Sequence, residues 1–167
     1  KKPHDSAFIM EISAFDGALY TNLGTRLKFR YPSRKKLKAW KLCHPLSSKL
    51  LESHILYEVN KLEQSLRKIN SPKKTGVENH THFSQMIDVE SFIDYFLVQE
   101  AFRNVDGFRR SMFFYKDASP AAKFKMGPLW DFNLAMGNLR FEGLSRYHGW
   151  TYRDRFNLIY WFVQMKI

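Results

Sequence analysis

Residues 88–133 read DVESFIDYFLVQEAFRNVDGFRRSMFFYKDASPAAKFKMGPLWDFN. Behind Asp88, a good N-cap residue, the positions Val89, Phe92, Ile93, Phe96, Leu97, Glu100 and Ala101 follow helical spacing until Asn104 and Gly107 break it. Ser111–Tyr115 and Lys123–Met126 are short strand-like runs, and KDASPAA between them supplies turn residues, so a hairpin is expected. Folded about Ala118–Ala121, the hairpin pairs residues whose numbers add to about 241, which sets Ser111 opposite Trp130. Asp106 precedes the first strand and Asp131 follows the second, so two acids 131 − 106 = 25 residues apart emerge at one end, with Asn104 and Ser111 near them.

Two carboxylates held close repel unless a cation or a shared proton lies between them. With amide and hydroxyl oxygens beside them, an Mg²⁺ or Mn²⁺ site is the simplest resolution, since hard cations take carboxylate, amide and water oxygens. A helix, an Asp-bearing loop, a polar residue at plus five (Ser111), a hairpin and a second Asp is also the order of parts in a protein kinase centre, although the letters HRD and DFG are absent. The plainer alternative makes Asp106 part of an Asp-Gly turn and Asp131 a helix cap. Glu100, on the apolar stripe, needs a buried partner, for which an Arg or Lys is expected. Trp130 and Tyr115 are expected to be core aromatics.

Upstream, Ala7–Phe15 and Thr25–Tyr31 read as strands, the second stopped by Pro32. From Ser47, a candidate N-cap, Leu51, Ile55, Val59, Leu62, Leu66 and Ile69 step by four, four, three, four and three, the spacing of one face of a long helix that Asn70-Ser71-Pro72 ends. Pro72–Phe83 is a polar loop containing a formal sequon at Asn79, and a last apolar helix is expected from about Asp154. The chain looks like a piece of a longer protein.

The 167 residues suit one domain, and 44% hydrophobic with 16% aromatic residues exclude a disordered chain. The net charge of +11 favours anionic partners without choosing among them. Cys43 is the sole cysteine, which excludes an intrachain disulfide and a Cys-based metal cluster, and His44, His80 and His82 lack a metal-ligand spacing. No run of eighteen apolar residues suggests a transmembrane helix. Arg26, Lys28, Arg30 and the basic run Arg34–Lys38 would suit nucleic acid, but the interleaved aromatics serve a core more economically, and no nucleic-acid partner is expected.

SFIDYFLVQEAFRNVDGFRRSMFFYKD, KFKMGPLWDFNLAMGN and the later Gly149-Trp150 together resemble the CotH family, the spore-coat protein H kinases and their bacterial surface relatives. FIMEI and KFRYPS also resemble that family's strand and K-Y-P segment. The resemblance implies an α+β, atypical protein-kinase-like fold. About 1–40 would be the end of an incomplete nucleotide-covering lobe, and about 41–167 a helical lobe with the catalytic hairpin. It implies ATP and Mg²⁺ (or Mn²⁺) as cofactors, a Ser-rich protein substrate, and a place at the bacterial surface, outside the cytoplasm or in the spore coat. Carried over by position, Asp106 is the catalytic Asp and Asp131 the metal ligand, with Ser111, Asn104 and Asn133 supporting it. Asn133 stands where the family commonly has an acid, so one negative charge is missing. The alternative implied by the same relatives is a non-catalytic surface adhesin or coat component on a kinase-like scaffold.

Overall fold

The computed structural model describes residues 7–12, 19–22, 26–31, 45–69, 84–108, 111–119, 121–139 and 148–151. The basic run 33–38, Cys43, His44, His80, His82, the sequon at Asn79 and the helix expected from Asp154 lie outside these residues.

The apolar segment β1 (Phe8–Ile12) becomes the centre of a five-stranded antiparallel sheet. On one side it pairs with β3 (Arg26–Tyr31), whose outer neighbour is the two-residue strand β2 (Leu19–Tyr20). On the other it pairs with β4 (Met112–Lys116), which continues into the edge strand β5 (Lys125–Met126). The strands on both sides of the division expected near residue 40 therefore share one sheet, in the order β2-β3-β1-β4-β5. With two helices against it, the architecture is α+β, as expected.

Strand alternation sorts the sheet into two faces. Phe8, Met10, Met112 and Phe114 point into the core, where they meet Leu51, Ile55, Val59 and Leu62 of α1 (Pro45–Ile69). The helical stripe read from the sequence is thus the buried one, but the helix starts at Pro45, so Ser47 lies inside it and is not its cap. Proline suits a first turn, whose N–H groups have no intrahelical acceptor. Lys116 Nζ joins Glu58 of α1 at 2.8 Å and lies 5.4 Å from the ring centre of Phe124, fastening helix to sheet.

The second helix, α2 (Val89–Ala101), is capped by Asp88, which accepts the N–H of Ser91. That cap is itself fixed to the hairpin: Asp88 N–H donates to Phe124 O at 2.8 Å, and Phe124 N–H donates to Met86 O at 2.8 Å. Ser91 Oγ, in turn, accepts the N–H of Met126. The edge of β5 is thereby covered by α2 and its lead-in, which hides a strand edge that would otherwise offer unpaired backbone groups.

The hairpin register differs from expectation by one. Phe114↔Met126 and Tyr115↔Lys125 are partners, so the numbers add to 240. One further bond, Gly127 N–H to Phe113 O at 2.9 Å, ends the ladder where Gly127 takes φ 122°. Trp130 is therefore not opposite Ser111, and at 61% exposure it is not a core residue; its ring meets Phe113 edge-on, centres 6.3 Å apart. Tyr115 is half-buried on the outer face of the sheet.

Candidate active site

The helix α2 ends at Ala101 because Phe102, Arg103 and Asn104 turn back on it: their N–H groups donate to Val98 O, Glu100 O and Gln99 O. Arg103 takes φ 51°, a left-handed conformation that lets the chain leave the helix axis sharply. This turn drives Asn104 inside, to 1% exposure, and presents Asp106 half-buried two residues later.

Asn104 connects the two segments that carry the acids. Its Oδ1 accepts the N–H of Asp106 at 3.3 Å, and its Nδ2 donates to the backbone O of Asp131 at 3.4 Å. A buried amide needs such partners, because leaving either end unpaired costs about 1–3 kcal/mol. Asp131 is held from the other side by Ser111, whose Oγ donates to Oδ2 at 2.8 Å. Asn104, Asp106, Ser111 and Asp131 are thus linked through the loop, the strand and the segment after the hairpin. Asn133 lies two residues on, exposed, with its backbone O accepting from Asn138 Nδ2 at 2.6 Å.

The backbone here is under constraint. Four non-glycine residues among those described have positive φ, and three belong to this site or adjoin it: Arg103, Ser111 (51°) and Asp131 (62°). Such conformations cost of order 1–3 kcal/mol each and persist where surrounding contacts fix them, a pattern concentrated at functional sites. Aspartate tolerates the left-handed region better than most residues, which accounts for an acid there but not for a serine opposite it.

Behind the loop, Tyr95 donates its hydroxyl to Gly107 O at 2.8 Å, and burial pushes its pKa above the ordinary value. Gly107 packs so closely on Gln99 that any Cβ would collide with that side chain. The Gly149-Trp150 segment returns to the same turn: Arg103 Nη1 donates to Gly149 O at 2.6 Å, Trp150 stacks on Phe96, and Glu100 accepts the N–H of Thr151. Glu100 was expected to meet an Arg or Lys; among the described residues it accepts this backbone amide. Arg103 escaped sequence reading altogether, since nothing in a lone arginine after a helix announces a left-handed turn.

Among the described residues no three His, Cys, Asp or Glu side chains come together as a metal centre. From the described residues a cation here would draw at most two acids, with hydroxyl, amide and water oxygens completing the shell. Mg²⁺ accepts such a mixture because it keeps several of its waters, so the donor chemistry fits. Asp131 offers the oxygen that Ser111 does not engage, and half-buried Asp106 and exposed Asn133 carry further oxygens.

No helix among the described residues is long and apolar enough to cross a membrane. A family model described as CotH kinase protein matches residues 36–161, well over half of the chain and inclusive of α1, α2, the hairpin and every residue of this site. No curated protein and no solved structure gives a significant match.

Proposed function

The chain belongs to the CotH kinase family, and from that premise we propose that it is an atypical protein kinase, moving the γ-phosphoryl group of ATP to Ser or Thr hydroxyls of surface or coat proteins. The observation that supports this reading most directly is the Asn104 amide, bonded at one end to the Asp106 segment and at the other to the Asp131 segment. An arrangement that rigid would suit two acids with separate tasks.

Asp106 would accept the proton of the substrate hydroxyl as its oxygen bonds to the γ-phosphorus and the bond to the β-phosphate oxygen breaks, releasing ADP. Asp131, with Ser111 and Asn133, would hold the divalent metal, which supplies charge neutralisation to the phosphates. Ser111 donates to one carboxylate oxygen of Asp131, and the other oxygen would be the one to meet the metal. Asn104, buried and engaged at both ends, acts by positioning.

In the intact protein, Asp131→Ala should abolish transfer of labelled γ-phosphate to a Ser-rich protein and remove the Mg²⁺-dependent thermal stabilisation by ATP. Asp106→Ala should lower transfer at least 100-fold, in line with loss of a positioned base, while keeping that stabilisation. Full transfer by Asp131→Ala sinks the assignment. An absence of any nucleotide-dependent shift in the wild type would favour the non-catalytic adhesin or coat reading.

A further inference from the structure

The fourth non-glycine residue with positive φ among those described, Met136, has no part in the acid site itself. Its turn is closed by Asn138 N–H donating to Ala135 O at 3.0 Å, with φ 54° at Met136 and 79° at Gly137. Two successive positive φ values match a type I′ turn, whose first central position suits Asn, Asp or Gly. A methionine there bears the cost of the left-handed backbone without a side chain able to bond locally. Burial does not offset that cost, since Met136 is 76% exposed. The isolated fold gains little from this side chain, and an outlier of that kind points to a use outside the fold.

Met136 is joined to a second exposed apolar residue and, through it, to the acids. Its N–H donates to Phe102 O at 2.7 Å, and Phe102, 44% exposed, meets half-buried Phe132 edge-on with ring centres 5.6 Å apart. Phe132 directly follows Asp131, and Phe102 stands two residues before Asn104, the amide bonded to both acid segments. Exposed apolar side chains grouped on constrained backbone mark a surface for a partner, and methionine adapts to partners of varied shape. We propose that Met136 and Phe102 dock an apolar side chain of the substrate protein, close in sequence to the Ser or Thr that accepts phosphate. The inference rests on the phosphotransfer reading above and adds to it a preference in the substrate. Phe102 and Asp106 are 106 − 102 = 4 residues apart, so their Cα atoms lie within about 14 Å of each other. An extended substrate covers that distance in about four residues.

The test uses the intact protein, ATP, Mg²⁺ and peptides with one Ser in an Ala-Gly background, with or without a single Leu moved along either flank. At one position Leu should lower the peptide KM about tenfold, the factor expected when part of a Leu side chain leaves water. Met136→Gly should raise KM for that peptide to the value of the Leu-free one, leave KM for ATP as it was, and not lower the denaturant midpoint, because glycine relieves the left-handed turn. A merely structural Met136 would lose stability on truncation and would move both KM values or neither. Met136→Leu, which keeps the apolar surface, should keep the preference. Transfer indifferent to Leu at every position, or a Leu preference that survives Met136→Gly combined with Phe102→Ala, overturns the docking role while the kinase reading stands. A wild-type dimer that Met136→Gly dissociates, with no Leu preference, assigns the patch to a second copy and likewise overturns it. If no Ser peptide or Ser-rich protein accepts phosphate, the kinase reading fails and the docking role with it.

Discussion

At the scale of single residues, the acid site is a case of backbone conformation and chemistry pulling in different directions. Asp131 at φ 62° would be relaxed by glycine, which has no Cβ to clash, whereas alanine loses the Ser111 bond and keeps the strain. Asp131→Gly should therefore be about 1 kcal/mol more stable than Asp131→Ala in denaturant unfolding, and under the proposed function neither should transfer phosphate. Equal stability of the two would show that the left-handed turn is not strained at this position. The acid itself was legible in the sequence, as were Asn104 and Ser111 as its neighbours. Its conformation was not, because positive φ at a non-glycine residue is imposed by contacts 20 and 27 residues away.

At the scale of elements, α2 was the most legible part of the molecule, since its cap Asp88 and its apolar spacing are local signals. The hairpin was legible as an element but not in register: Gly127 at φ 122° ends the ladder early, and the sequence does not reveal which pair is last. The ladder's last bond is at Gly127, three residues before Trp130, which stands in solvent instead of the core. The two-residue β2 was missed because its existence depends wholly on β3. The loop between α2 and β4 rests on a close approach. Gly107→Ala would force the fully buried Gln99 aside and should cost about 2–3 kcal/mol, the scale of overpacking in a filled interior. Adding Gln99→Ala should restore part of this loss. No recovery in the double variant would mean that the penalty comes from the backbone of Gly107 and not from the side chain it faces.

For the molecule as a whole, the sheet unites strands from both sides of residue 40, which the sequence assigned to two parts of one domain. Lys116 is central to that unity, because it meets Glu58 on α1 and the Phe124 ring from a strand beside β1. With both side chains of the ion pair largely shielded, Lys116→Met should lower stability by about 1–2 kcal/mol, between the values for exposed and buried pairs. The test is the denaturant midpoint, and an unchanged value would assign the pair no net contribution. The pairing of β1 also has a consequence in time. Its partner on one side, β3, follows within about twenty residues, but Tyr115 is 115 − 9 = 106 residues beyond Ile9. At synthesis rates of about 5–20 residues per second, the β4-facing edge of β1 waits on the order of 5–20 s on the ribosome before its neighbour exists. During that interval an apolar strand offers open hydrogen-bonding groups to any passing chain, so the nascent protein is most exposed to misassociation, and most in need of a chaperone, before the segment bearing its acids has been made.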